Sequence, residues 1–380
     1  MKLGILTQPL HANYGGLLQA YALQTVLTRL GHDVEILNRE YVVCKPAAKS
    51  MKQRIKSFIK DTLCFFTGQR IYRPIPEDKI AYIRQNSNRF IQKYHHKSPD
   101  FFTTQELKTY AESKGFDGYV VGSDQVWRPC NSPQITNYFL DFVSEEPVKR
   151  IAYAASFGVD YWEYNEKDTF ACAQLVKQFD AVSVREDSGI DLCRKYFDIK
   201  ARHVLDPTLL LESIDYMRLA EIEKEPQSEG DLFCYVLDNT RAKADLINEI
   251  GCKYSLKPYY CNYKGPELHY AIGHLADSIY PPVTKWIRSF MDAKMVIVDS
   301  FHGAVFSIIF NKPFWIIANP KRGNARFISL LKIFGLENRL INIEDKSSVD
   351  WTASIDWEKV NEIKKHWQQL SLDFLNDHLK

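Results

Sequence analysis

The chain has 380 residues, 45% of them hydrophobic, which is enough for two ordinary cores and long for one small domain. Its 49 Lys and Arg nearly cancel its 47 Asp and Glu, leaving +2, so no whole-molecule field exists to hold nucleic acid. Its eight cysteines contain no CxxC pair and lack the density of a secreted disulfide scaffold, which predicts reduced thiols in a cytoplasmic protein.

In chain order, Lys2 leads directly into the strand-like Leu3 to Thr7, followed by Gln8, His11 and Asn13, so no signal-peptide core fits. No apolar run approaches the length of a membrane span. A helix is predicted from Gly16 to Leu30, closed by Gly31, and a strand from Val34 to Leu37. Further strands fit Gly118 to Val121, Ile151 to Ala155 and Ala181 to Val184. After the apolar run Val204 to Leu211, the stretch to Gly230 is rich in Glu, Lys, Ser and Pro and is read as a domain boundary. A second series follows at Leu232 to Leu237, Met295 to Asp299 and Phe314 to Ile317. From Trp357 onward, Val360, Ile363, Trp367, Leu370 and Phe374 recur at three- and four-residue steps, the pattern of an amphipathic helix that crosses back over the molecule. Short apolar runs alternating with helical stretches predict an α/β fold of two Rossmann-like domains with mostly parallel sheets. The expected division is 1–211, 212–355 and a crossing helix over 356–380.

The strongest site signal is Lys294-Met-Val-Ile-Val-Asp-Ser-Phe-His-Gly303. A His at the carboxyl end of a buried strand, just before an apolar helix, stands where open α/β sheets place their ligands. The helix start beside it offers free N–H groups to an anion. His302 is therefore the candidate catalytic group, the plainer alternative being a helix cap. The next strand opens into Asn319-Pro-Lys-Arg-Gly-Asn-Ala-Arg326, placing Lys321, Arg322 and Arg326 in one loop, as anion ligands or as a solvated charge run. Arg185 also follows a strand end and is an anion clamp or a salt-bridge partner of Glu186 or Asp187. In Val120 to Trp127, the carboxylate of Asp124, the amide of Gln125 and the flat face of Trp127 suit a sugar, unless Asp124 only caps the next helix. Asn13-Tyr14-Gly-Gly suits close ligand approach but is not GxGxxG, and no Walker A, HExxH or GxSxG occurs. The histidines show no metal-ligand spacing, so no metal is expected.

Taken in order, Gly4-Ile-Leu-Thr with Asn13-Tyr-Gly-Gly, Val121-Gly-Ser-Asp-Gln-Val-Trp, Ala152-Tyr-Ala-Ala-Ser-Phe-Gly, Ser183-Val-Arg-Glu, Leu205-Asp-Pro-Thr and Asp299-Ser-Phe-His-Gly resemble the polysaccharide pyruvyl transferase family, to about Leu340. The resemblance implies a fold similar to the two-domain GT-B glycosyltransferases. It also implies transfer of the enolpyruvyl unit of phosphoenolpyruvate onto a sugar as a cyclic ketal, with no cofactor. The implied acceptor is a bacterial surface glycan, lipid-linked or free, with a 4,6-hydroxyl pair as on galactose. The first domain would be the acceptor side (Asn13, Tyr14, Gln125, Trp127) and the second the donor side. His302 and Asp124 would be catalytic, and Arg185, Ser300, Lys321, Arg322 and Arg326 would hold the donor. Family members commonly carry Arg-Leu-His where this chain has Ser300-Phe301-His302, so His302 carries over by position and the donor-binding Arg does not. Two other readings fit the same motifs: a GT-B glycosyltransferase using a nucleotide-sugar, and a non-catalytic glycan-binding protein.

From Lys45 to Arg73, eight Lys or Arg face the single acid Asp61 and interleave with Ile55, Phe58, Ile59, Leu63, Phe65 and Phe66. That pattern is a basic amphipathic helix, suited to anionic headgroups at the inner face of the plasma membrane or to packing on the sheet with a solvated basic back. The membrane reading predicts binding of the full chain to anionic vesicles in sedimentation, weakening as salt rises, with neutral vesicles left unbound.

Overall fold

The computed structural model describes residues 1–42, 72–144, 147–263, 269–271, 274–319, 323–351 and 353–380. The basic segment therefore lies almost wholly outside the described residues, as do Lys321 and Arg322.

Two parallel sheets form the frame. The first has seven strands in the order β4-β2-β1-β5-β6-β7-β8, namely β1 (Lys2–Leu6), β2 (Asp33–Arg39), β4 (Lys97–Phe101), β5 (Gly118–Val121), β6 (Lys149–Ala155), β7 (Ala181–Val184) and β8 (Arg202–His203). The second has five in the order β10-β9-β12-β13-β14, from β9 (Leu232–Tyr235), β10 (Pro258–Tyr260), β12 (Met295–Val298), β13 (Phe314–Ile317) and β14 (Leu340–Ile341). All ladders within both sheets are parallel. The central strands are buried on both faces, which is why they read as continuous apolar runs and not as alternation. The short edge strands β4, β8, β10 and β14 lack such runs and escape sequence reading. A third element joins the two units: β3 (Tyr72–Pro74) pairs antiparallel with β11 (His269–Ala271).

The first helix runs from Tyr14 to Arg29, two residues earlier than its periodicity predicts, with Asn13 at the cap. The stretch read as a boundary contains helix Ser213–Ile222. It packs on the second unit, where the Tyr216 ring meets Phe306 at 4.8 Å. The last helix, Trp357–His378, crosses back as its pattern predicts. Its Gln368 donates to the Leu209 carbonyl, its Ser371 hydroxyl accepts from the Leu205 amide, and Phe374 lies 6.2 Å from Tyr153 of the first sheet. One continuous apolar cluster runs through both units, from Leu3 and Ile5 to Phe306, Ile316 and Leu375. Among the described residues no helix is long and apolar enough to cross a membrane.

His95, buried against the first helix, hydrogen-bonds the Leu17 carbonyl at 3.0 Å. Burial pushes its pKa down to about 4, outweighing that bond, so the folded chain keeps it neutral. Because the unfolded ring takes a proton near pH 6.5, the unfolded state binds more protons between these values and stability rises with pH. Lowering the pH from about 7 to about 5 should cost about 2 kcal/mol from this residue alone. Urea unfolding of His95→Gln should show a correspondingly shallower loss over that interval.

Candidate functional site

The carboxyl ends of β1, β5 and β9, and the turns after β12 and β13, open onto one cleft between the two sheets. Its lining is Asn13, Gly15, Asp124, Gln125, Tyr235, Leu237, Asp299, Ser300, Phe301, His302, Arg326 and Phe327, around a cavity of about 90 Å³. Larger hollows exist elsewhere; one of 870 Å³ is lined by Met1, Asp117, Lys149 and Arg150, at the amino ends of β1, β5 and β6. That is the wrong end of a parallel sheet for ligand binding.

Three helices point their amino ends into the cleft: Tyr14–Arg29 through Asn13 and Gly15, Phe301–Ile309 through Ser300 to His302, and Ala325–Phe334 through Arg326 and Phe327. Neither Asn13 nor Asn324 caps its helix by a side-chain hydrogen bond. Ser300 does, accepting from the Gly303 amide at 3.0 Å. The Ser300 hydroxyl is thus engaged in starting the helix. His302 sits in the first helical turn and is not the cap.

Behind this wall lies a network of charges shut off from water. Arg185 bonds Asp206 at 2.7 Å and Asp124 at 3.2 Å, with 1% of its side chain exposed. It does not pair with its neighbours Glu186 and Asp187 as the plainer sequence alternative had it. Asp206 also accepts from the Thr208 amide at 3.0 Å and the Thr208 hydroxyl at 2.6 Å. His302 Nε2 stands 3.5 Å from the same carboxylate. The Arg185 and Arg326 guanidinium carbons lie 4.3 and 5.8 Å from the Phe301 ring centre, so the aromatic ring stabilises two cations.

The acid–base consequences follow from burial against pairing. Burial pushes the Asp124 carboxyl up, but Arg185, His302 and Arg326 outweigh it and hold it below its ordinary value. Asp206 goes further down: burial opposes ionisation, and His302 and Arg185 more than offset it. Burial, then the charge of Arg185, lowers Arg326 to about 10. Backbone geometry is bent to serve this site. Asp124 has φ of 69°, a left-handed conformation costing about 1–2 kcal/mol for a non-glycine residue. It is held there by backbone bonds from Val126 and Ser156 to its carbonyl, at 2.8 and 3.0 Å. The preceding turn is pinned by Gln19, whose amide oxygen accepts from the Ser123 N–H and whose nitrogen donates to Thr7.

Gly15 explains the Asn-Tyr-Gly-Gly run. A Cβ on Gly15 would lie 2.1 Å from His302 Nδ1, so the first helix approaches the imidazole as only glycine permits. Tyr14 does not line the cleft; its hydroxyl donates to the Pro281 carbonyl at 2.9 Å and its ring packs on Trp286. Trp127 is also elsewhere. It is fully buried, stacks on Phe139 at 5.0 Å and 9°, and gives its indole N–H to the Tyr138 carbonyl. It offers no face to a sugar, because the turn after Asp124 folds inward to close the core. Gln125 does face the cleft, with its side-chain oxygen accepting from Arg128 at 3.2 Å.

Sequence reasoning passed over Asp206, Gly15, Tyr235, Leu237 and Asp299 as site residues. Asp206 had a signal, since Asp-Pro-Thr after an apolar run is a capping pattern. Asp299 accepts from the Leu237 and Asp238 amides and from buried Lys243 at 2.7 Å, fixing the loop after β9. Among the described residues no three side chains gather as a metal site.

Two Rossmann-like units face each other across a cleft, with the candidate side chains at their strand ends. The family model for polysaccharide pyruvyl transferase matches residues 13–321, and the chain belongs to that family. No curated protein matches the sequence. Among solved structures, UDP-GlcNAc 2-epimerase from Methanocaldococcus jannaschii is 12% identical with a TM-score of 0.51, over 96% of this chain and 92% of that one. The same enzyme from Neisseria meningitidis, solved bound to UDP-GlcNAc, is 11% identical with a TM-score of 0.48, over 99% and 100%. The likeness to the first is one of fold, and the fold is GT-B-like.

Arg185 is the only cation directly bonded to both Asp124 and Asp206 among the described residues. Removing it leaves two buried carboxylates without that partner. Arg185→Met should lower stability by roughly 3–5 kcal/mol, read as a lower urea midpoint with an unchanged slope.

Proposed function

We propose that this chain transfers the enolpyruvyl group of phosphoenolpyruvate onto a sugar of a bacterial surface glycan, forming a cyclic ketal and releasing phosphate. The observation that carries the reading is the small cleft cavity at His302, ringed by three helix amino ends and Arg326. Helix amino ends favour an anion without placing a mobile cation beside it, and this supports a donor carrying both carboxylate and phosphate.

In this reading His302 protonates the methylene carbon of the donor, leaving an oxocarbenium-like centre that a sugar hydroxyl attacks. A second hydroxyl of the same sugar then displaces phosphate. General acid catalysis of this kind contributes roughly 10²- to 10⁴-fold. Asp124, held ionised by Arg185, is a weak base near neutral pH but a constant acceptor, so it orients the attacking hydroxyl with Gln125 beside it. Arg185 acts through Asp124 and Asp206, and Arg326 with Ser300 faces the donor. Lys321 and Arg322, placed by the sequence in the adjoining loop, complete the anion's neutralisation. Asn13 borders the acceptor. A 4,6-hydroxyl pair, as on galactose, suits a six-membered ketal, and a lipid-linked acceptor would meet the protein at the inner membrane surface through 45–73.

Purified protein with phosphoenolpyruvate and galactose-bearing glycans should release phosphate stoichiometrically with ketal formation. His302→Ala should lower kcat at least about 100-fold with little change in thermal midpoint. Calorimetric binding of nucleotide-sugars in place of phosphoenolpyruvate would overturn the reading.

A further inference from the structure

The two nitrogens of His302 stand in different surroundings. Nε2 is buried and has no hydrogen-bond partner, and Asp206 Oδ2 stands 3.5 Å from it. Nδ1 packs beside Gly15 and, unlike Nε2, is not among the buried polar atoms left without a partner, in a ring that lines the cleft. Asp206 cannot move away from the ring easily. Its Oδ1 is fixed by the Thr208 amide and hydroxyl, and its Oδ2 by Arg185 at 2.7 Å. Gly15 packs on one side of the ring, and any side chain there would strike the imidazole. The charged groups around the ring are Asp206 from the turn before Thr208, Asp124 after β5, Arg185 after β7 and Arg326 from the third cleft helix.

We infer that Asp206 is a positioning residue for His302, holding Nε2–H so that Nδ1 is the nitrogen that exchanges a proton with substrate. The inference deepens the reading above and rests on it for the identity of the substrate. When the doubly protonated ring acts, the Nδ1–H bond breaks and its proton forms a C–H bond with the methylene carbon, using the electron pair of the enol double bond. The neighbouring carbon is left electron-poor, and the ring remains neutral as the Nε2–H tautomer facing Asp206. The attacking hydroxyl's proton restores Nδ1–H, and the second hydroxyl's proton leaves with phosphate. A carboxylate behind the ring favours this cycle, because it selects the neutral tautomer that follows.

The test is a long-range ¹H–¹⁵N correlation spectrum of the full chain labelled at histidine, recorded where the ring is neutral. The His302 signal, assigned by its loss in His302→Gln, should show Nε2–H over Nδ1–H by at least about tenfold, as attraction between Nε2–H and the carboxylate 3.5 Å away favours. In Asp206→Asn the preference should fall below about threefold or invert, because an amide donates as readily as it accepts. With phosphoenolpyruvate, kcat should fall far more than KM changes. A wild-type ring carrying its proton on Nδ1, or a preference unaltered in Asp206→Asn, overturns the inference. If Asp206→Asn does not fold, the wild-type tautomer decides alone. Absence of turnover with phosphoenolpyruvate in the wild type would sink the donor reading and leave the tautomer result standing.

Discussion

The organising constraint is the burial of a cation between two carboxylates at the seam of the molecule. Arg185 with Asp206 and Asp124 comes wholly from the first sheet's strand ends, and by itself that trio carries one negative charge in excess. The second unit answers it with His302, which lowers both carboxylates, and Arg326, which lowers Asp124. A buried charge set of this kind adds little net stability, because desolvation consumes most of the Coulombic gain. Its value is in register. Neither unit can shift along the seam without stranding a charge, so the cleft is fixed by the electrostatics that make it useful.

The chemistry is then arranged in layers around that seam. The helix amino ends provide a field that is fixed in place, and the Phe301 ring lies within cation–π reach of both guanidinium groups. Backbone strain at Asp124 belongs to the same arrangement, since the left-handed turn aims a carboxylate at the cleft where an extended strand would send it into a sheet face.

Much of this was legible beforehand, and the parts that were not share a cause. Apolar runs such as Met295–Val298 and Phe314–Ile317 announced their strands because buried parallel strands need no alternation. His302 was readable because a strand end followed by a helix start is a local pattern. Trp127 and Tyr14 were misplaced as ligand residues because an aromatic beside polar neighbours reads the same whether its ring turns outward or inward. Only the neighbours Phe139 and Trp286 settle which. Asp206 is intelligible only as a partner of residues about 20 and 100 positions away in sequence, and pairings at that range leave no trace in spacing.

The β3–β11 ribbon bears on how the cleft can move. The two units are joined covalently through the segment after β8, and again, far from it in sequence, by antiparallel pairing of His269–Ala271 with Tyr72–Pro74. With the returning helix Trp357–His378 docked on Leu205, Leu209 and Tyr153, the units are attached at three separate places, and bodies held so lose the freedom to swivel. The cleft in this chain is therefore braced from several sides, and its width is set by the fold.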